Sequence, residues 1–466
     1  MAEQWSSRLG FVLATVGAAV GLGNIWRFPA VVGRNGGGAY LVPYLFAAFA
    51  FAVPLLVLEL GVGRDTRADV VGAFRSVRQS FVPLGWLVVG SVLLVLSYYL
   101  VLTGWVLSFA LGALTGQLPA FGAYTDTWVP VAAFLVVAAM AGTVVAGGVQ
   151  GGIELVSRVV MPVVFVALAA LAAYALTLDG AAAGLEFFLR PRFDALGDPA
   201  LWAAAVGQVF FSLSVGQGIM LTYGRYVAPE TDLVRSALAI TVADVGAAML
   251  AGVLVFPVVF TFGLEPTLGT ELAFTTLPTA FAAMPAGGLV AVGFFTLLFF
   301  AALSSAVALL EVGVAAGVDA TGRERRPVTV GLTAGVALLG LPSALSYSPL
   351  DLAVAGAPVL DLLDETVGTL GLPVTALVIA LVFGHAQDRD RLVAQLGSSR
   401  LVPVVRYAIP VVLVVVVLSR VVGGVPPAWR RLPAGGGVSA PVALVATLLL
   451  LGLVATGALA ARRGRT

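Results

Sequence analysis

The stretch "GAAVGLGNIWRFP", Gly17 to Pro29, lies inside a run apolar enough to cross a bilayer, yet it carries three glycines, an asparagine, an arginine and a proline. Gly17 and Gly21 form a small-xxx-small pair that lets a neighbouring helix approach closely. That accounts for two glycines and leaves Asn24 and Arg27 unexplained. An arginine near the middle of a span costs roughly 2.5 to 3.5 kcal/mol on insertion scales unless it reaches water or a partner. The stretch therefore reads as a spanning helix interrupted part-way, with something polar beside the interruption.

The remainder of the chain puts that helix in a membrane. Its 466 residues are 60% hydrophobic and 11% charged, with a mean hydropathy of +1.05, which excludes an ordinary soluble domain. A helix of about 20 apolar residues spans a ~30 Å hydrocarbon core, and such runs recur to the end of the chain, so an all-α protein of about twelve transmembrane helices is expected. The helices are placed near 9–33, 40–63, 82–113, 128–146, 154–177, 199–224, 233–262, 287–317, 327–345, 351–384, 403–423 and 438–461, with no soluble domain left over. The segment 263–286 reads as an outer loop carrying short helices that acts as a lid.

A formal charge of +1 supplies no field for nucleic acid. Cysteine is absent and His385 is the single histidine, so thiolate chemistry and multi-histidine metal sites are excluded and any ion must be held by oxygen. All 25 basic residues are arginine, and they cluster in alternate connections: 64–78, 225–235, 323–326, 389–400 and 462–465. The positive-inside rule then puts both termini in the cytoplasm of a multi-pass cell-membrane protein, with Arg190, Arg192, Arg430 and Arg431 as exceptions. Residues 1–8 lack the pattern of a removable signal peptide.

A second interruption occurs in the sixth helix, "FFSLSVGQGIMLTYGRY", from Phe210 to Tyr226. Helices one and six occupy the same place in two successive five-helix halves, 9–177 and 199–384, with two additional helices in 403–461. Paired interruptions of this kind point to a transporter site built from inverted repeats. Open backbone at membrane depth is tolerated only where protein buries it or where it lines a cavity. Freed N–H groups attract a carboxylate, and freed carbonyls hold an ammonium group or a small cation, so the ligand expected is a zwitterion.

At these residues the chain resembles the neurotransmitter:sodium symporter family, in particular its bacterial amino-acid transporters with the LeuT fold. The blocks that carry the resemblance are "GLGNIWRFP", "NGGGAYLVPY" (Asn35–Tyr44), "AVGQVFFSLSVGQG" (Ala205–Gly218) and "FFAALSSAVALL" (Phe299–Leu310). The resemblance implies a LeuT-type 5+5 inverted repeat with helices one and six broken. It also implies two sodium sites. The first would use the Ala19 carbonyl, Asn24, Ser212, Asp244 and the substrate carboxylate. The second would use the carbonyls of Gly17, Val20 and Ala301 with the hydroxyls of Ser304 and Ser305. Both are all-oxygen cages suited to a hard cation. A serine pair also has a plainer use, bonding back to its own helix.

The implied substrate pocket comprises Ala18, Ala19, Gly23, Val95, Tyr99, Phe211, Ser212, Ser214, Gln217, Ser305 and Leu309, with Tyr99 on the substrate carboxylate and Phe211 closing a thin gate. Val95 and Leu309 favour an apolar or aromatic amino acid, while Gln217 departs from the aromatic in LeuT. Arg27 and Asp364 resemble an outer gate pair with Gln208 near them. Trp5, Tyr226 and Asp319 match inner gate positions, although the family's N-terminal arginine is Ala2 here. Asp244 is the only charge in the apolar run 236–262 and stands where many relatives place an amide paired with chloride, so no chloride requirement is expected. Glu59 and Glu311 are further intramembrane acids without an evident partner. The expected activity is sodium-coupled symport of a neutral, hydrophobic or aromatic amino acid by alternating access. A proton-coupled carrier using Asp244 or Glu59 is the alternative; an enzyme is not expected, since no HExxH motif is present and no histidine lies near the serines. Helices eleven and twelve are left for packing or for contacts in a homodimer.

Overall fold

The computed structural model describes residues 3–264, 272–354 and 356–422. Among these, nine helices are long and apolar enough to cross a membrane, and a bent pair, Arg8–Ala19 with Gly23–Arg34, makes a tenth crossing. We number the spans in chain order. The first is that bent pair, followed by Gly37–Thr66, Gln79–Leu114, Val129–Ala146 and Val149–Ala175. The sixth is broken into Pro199–Ser212 and Ile219–Gly224. Then come Leu233–Thr261, Gly287–Thr321, Arg325–Leu345, Val359–His385 and Ser399–Ser419, the eleventh. The twelfth expected helix, 438–461, lies outside the described residues.

The first span bends by 52°. Its leading helix is capped by Ser7, whose hydroxyl accepts the Gly10 N–H, and ends at Val20, which is extended at ψ 108°. The chain re-enters helix through a wide turn, Gly23–Arg27, and Pro29 stands in the first turn of Phe28–Arg34. In the sixth span the break covers Leu213–Gly218, where Ser214, Gly216 and Gly218 take φ of +52°, +84° and +71°. The tenth span begins later than expected, because Ala353–Val354 and Ala357–Pro358 pair as two short antiparallel strands ahead of it. Within the expected lid the described residues hold two short helices, Leu272–Thr276 and Leu277–Ala283.

Burial separates inner spans from lipid-facing ones. The most apolar window of the eighth and tenth spans is 78% buried, against 28% in the ninth and 33% in the fifth. Glycine permits the closest approaches: a Cβ on Gly63 would lie 2.0 Å from the Leu221 carbonyl oxygen, and one on Gly224 would lie 2.5 Å from that of Leu60. The second span and the inner half of the sixth are therefore in main-chain contact.

Gly216 shows what the break requires of the sequence. Its φ is disfavoured for any side chain, and an added Cβ would lie 2.3 Å from the Cβ of Ala376. Gly216→Ala is expected to cost roughly 2 kcal/mol from backbone strain and overpacking together. Thermal unfolding of purified protein would measure this, and an unchanged midpoint would contradict it.

Candidate ion and substrate site

The two breaks meet at mid-depth beside the seventh span. Asn24, in the wide turn of the first span, accepts the Gly21 N–H on Oδ1 at 3.1 Å. Its Nδ2 donates to Ser212 Oγ at 2.8 Å, to Asp244 Oδ1 at 2.7 Å and to the Asp244 carbonyl at 3.1 Å. The Ser212 hydroxyl lies 2.9 and 3.0 Å from the two Asp244 carboxylate oxygens. Tyr44, from the second span, hydrogen-bonds Ser212 beside Asp244. Gln208 Nε2 donates to the Gly23 carbonyl at 2.8 Å, tying the outer half of the sixth span to the first. Asn24, Ser212, Gln208 and Asp244 are all buried.

This arrangement has one carboxylate, supplied by the seventh span, amid neutral oxygens supplied by the two broken spans. Among the described residues no group of three or more histidine, cysteine, aspartate or glutamate side chains is placed to hold a metal ion. A single negative charge with neutral oxygens suits a hard monovalent cation; a divalent site usually gathers more carboxylates.

The residues expected at the second ion site also meet. The Ser305 hydroxyl is 3.4 Å from the Gly17 carbonyl and 3.3 Å from that of Ala301, and the Ser304 hydroxyl donates to Ala301 at 2.8 Å. Both serines thus bond back along their helix, and Ser305 in addition reaches across to the first span. Val20, extended and fully buried, carries its carbonyl off the helical path.

Above these oxygens, the Tyr99 phenol contacts the Ser305 hydroxyl and the Leu22 backbone. Ser214 donates to the Ala18 carbonyl at 2.9 Å, which joins the two breaks directly. A Cβ on Gly23 would lie 3.2 Å from the Phe211 ring. Val95, Leu309 and Gln217 are buried, as is Ala19, the last residue of the leading helix. Ser305, Tyr99, Ser214 and Ser304 keep 8%, 7%, 7% and 6% of their surface accessible, whereas Ala301, Ala302 and Ala306 on the same helix as the serines keep none.

Toward the face opposite the N-terminus, Arg27 and Asp364 are not joined by an ion pair. The Arg27 guanidinium lies 4.0 Å over the Phe211 ring, and Asp364 accepts the Tyr98 hydroxyl. Arg27 therefore covers the ring expected to act as the thin gate, a contact favoured by the ring's negative face.

The face that carries the N-terminus is closed by a denser set. Trp5 donates its backbone N–H to Tyr226 and its ring N–H to the Tyr223 carbonyl, each at 3.1 Å. Asp319 takes both Nη groups of Arg225 at 2.9 Å and also accepts the Asp69 N–H. Burial pushes the Asp69 carboxyl above its ordinary value, against the Gly72 and Val71 N–H groups that pull it down, and the neighbouring Asp319 adds to the rise. Tyr226 donates to Glu311 at 2.7 Å, and Arg325 bridges Glu311 to Glu3. Between these groups and solvent lies a cavity of about 440 Å³ lined by Glu3, Arg67, Arg225, Tyr226, Val318 and Arg325 among others.

Thus the acids without an evident sequence partner have one. Glu59 Oε1 accepts the Gly216 N–H at 2.6 Å inside the sixth-span break, and Glu311 belongs to the face that carries the N-terminus. Sequence reasoning gave no site role to Tyr44, Tyr98, Arg225 or Arg325, although Tyr44 ends the block Asn35–Tyr44 and both arginines lie in the basic clusters.

Comparison with known proteins bears on this geometry. The profile of the sodium:neurotransmitter symporter family matches residues 2–131 and 121–431. The chain belongs to this family. It is 36% identical over 440 residues to an uncharacterized sodium-dependent transporter, YhdH, of Bacillus subtilis, covering 89% of this chain and 97% of that one. An uncharacterized sodium-dependent transporter of Methanocaldococcus jannaschii is 32% identical over 425 residues, covering 83% of each. The crystal structure of MhsT in complex with L-phenylalanine superposes with a TM-score of 0.83 at 37% identity, covering 90% of this chain and 99% of that one. The family is one of sodium-coupled transporters, and the symporter described here is a multi-pass, all-α membrane protein with the LeuT fold and broken first and sixth spans.

Proposed function

We propose that this symporter couples the inward movement of sodium to that of a neutral, hydrophobic or aromatic amino acid. The observation that carries the reading is the Asn24–Ser212–Asp244 cluster, where both breaks meet a single buried carboxylate. A sodium ion there adds a positive charge beside the broken backbone, and the substrate carboxylate completes its oxygen shell. Each ligand then strengthens the other's binding. The Ser304–Ser305–Gly17–Ala301 oxygens form the second ion site, and MhsT's ligand, L-phenylalanine, supports the substrate class.

Two ions per substrate would supply roughly 7 kcal/mol, from ~2.3 kcal/mol per charge per 100 mV and about 1.4 kcal/mol per tenfold gradient. In this reading the arginine-rich face carrying the N-terminus is cytoplasmic, and Arg225, Asp319, Trp5 and Tyr226 form the inner gate. Arg27 with Phe211 closes the outer side. Asp244 supplies a fixed negative charge, so chloride is not needed.

A thermal-shift screen of the twenty amino acids tests this directly, because a ligand that binds only the folded state raises the midpoint. A neutral hydrophobic or aromatic amino acid is expected to stabilise the protein only with sodium, and equally in chloride and gluconate. A shift that ignores sodium and follows pH would select a proton-coupled carrier using Asp244 or Glu59, whose Oε2 is buried without a partner. Loss of the shift in gluconate would overturn the chloride reading alone.

A further inference from the structure

We infer that the seam between the tenth and eleventh spans holds the headgroup of an anionic phospholipid, with Arg406 on its phosphate and Tyr407 beside it. The inference does not depend on what the symporter carries. Arg406 stands seven residues into Ser399–Ser419, about 10 Å along the helix at 1.5 Å per residue. It is the only charged residue from 401 to 419. An ionisable group inside a span is expensive, and it persists where it has a partner or a task.

The chain itself supplies only part of a partner. Arg406 Nε donates to the carbonyl of Gly384, one residue before the tenth span ends, at 2.6 Å. The two spans touch here, since a Cβ on Gly384 would lie 3.5 Å from the Val405 carbonyl oxygen. Neither Nη group of Arg406 has a hydrogen-bond partner among the described residues, and no carboxylate there pairs with it. Residues 423–466 contain neither aspartate nor glutamate, so they bring no acidic side chain to it either. A permanent cation is thus left with four N–H donors in a fork that matches phosphate oxygens.

The surroundings decide which phosphate fits. On the eleventh span Tyr407, Val411, Val415 and Leu418 are 64%, 62%, 52% and 53% exposed, one stripe facing lipid, whereas Ile409 and Leu413 are buried. Arg406 is half-buried where the two faces meet. Helix side chains lean toward the start of their helix, and the bond to Gly384 brings the guanidinium to the level where the tenth span ends, which is headgroup depth. Tyr407 packs edge-to-face on His385, with ring centroids 5.9 Å apart, and a phenol at that depth anchors at the interface. With Arg391 paired to Asp65, the connection between the spans still sets Arg389, Arg400 and Arg406 against Asp388 and Asp390. That excess of positive charge favours a headgroup without an amine of its own. The apolar stripe beside the cation takes the acyl chains, which a free phosphate lacks.

Native mass spectrometry of the purified full chain, titrated with phosphatidylglycerol or phosphatidylcholine, tests the idea. One phosphatidylglycerol is expected to bind at least about fivefold tighter than phosphatidylcholine. Arg406→Gln should abolish the difference, and Arg406→Lys should keep part of it. Tyr407→Phe, a change on the lipid-facing stripe that keeps the ring, should weaken phosphatidylglycerol alone. Arg8→Gln, which alters an exposed arginine on the same face, should leave the preference as it is. Equal binding of the two lipids would overturn the inference, as would an equal loss in Arg8→Gln and Arg406→Gln. Inorganic phosphate competing as strongly as the lipid would mark a free-anion site and overturn it too.

Discussion

Asp244→Ala should lose sodium-supported amino-acid binding by at least a hundredfold. The carboxylate is the only formal charge in the cluster, and it is held by the Asn24 amide and the Ser212 hydroxyl. Removing it takes the negative charge from beside the ion and leaves two buried polar groups facing a methyl. Breaking a buried, hydrogen-bonded charge cluster typically costs about 3 to 5 kcal/mol. Asp244→Asn separates charge from shape: it keeps the hydrogen-bonding outline and removes the charge. Its sodium affinity should fall in gluconate and recover in part when chloride supplies an external anion. Sodium titrations of both variants in the two anions make the measurement. Asp244→Asn binding sodium normally in gluconate would show that the charge is not what the ion requires.

The second large effect concerns Arg225. Asp319 ends the eighth span and Arg225 follows the inner half of the sixth, so their two-pronged contact at 2.9 Å ties together elements that must part for the inner face to open. The two side chains are 22% and 31% accessible, deep enough that the pair is not screened as a surface pair would be. Losing Arg225 leaves Asp319 with only the Asp69 N–H. Arg225→Ala should shift the equilibrium toward the inward-open state by about 2 to 3 kcal/mol, or roughly thirty- to a hundred-and-fifty-fold. With no native cysteine to interfere, Ala308→Cys, buried on the helix stripe of Glu311 and Val318, reports the opening. A water-soluble thiol reagent should label it rapidly in Arg225→Ala and slowly in the parent. The charge swap Arg225→Asp with Asp319→Arg should restore slow labelling. Unchanged labelling in Arg225→Ala would remove Arg225 from the gate.

Much of this fold was legible because a bilayer leaves few options. Apolar length placed eleven crossings among the described residues, and the glycines and polar residues within two of them located the breaks. The elements whose chemistry is local, such as Asn24 in its motif and Asp244 as a lone charge, could be picked out individually. What stayed hidden depends on residues brought together from afar. Glu59 meets Gly216 across 157 positions, and Glu311 meets Tyr226 across 85, so neither partnership leaves a mark in the local pattern. The companion of Arg27 was hidden for a similar reason. Arg27 had two acceptable companions, a carboxylate and an aromatic face, and only the three-dimensional arrangement decides between them. Gln208 is a related case: its Nε2 bond to the Gly23 carbonyl joins residues 185 apart.

The main-chain contact between the second span and the inner half of the sixth limits how the carrier can move. Glu59 grips Gly216, Gly63 and Gly224 admit the opposing carbonyls, Arg67 donates to the Arg225 carbonyl at 2.9 Å, and Arg64 reaches Thr231 at 2.8 Å. Ile219–Gly224, only six residues long, is thus splinted along its whole length to a helix of thirty. It cannot swing as a free flap. Whatever tilts it must carry its splint as well, so the two would move as a paired beam.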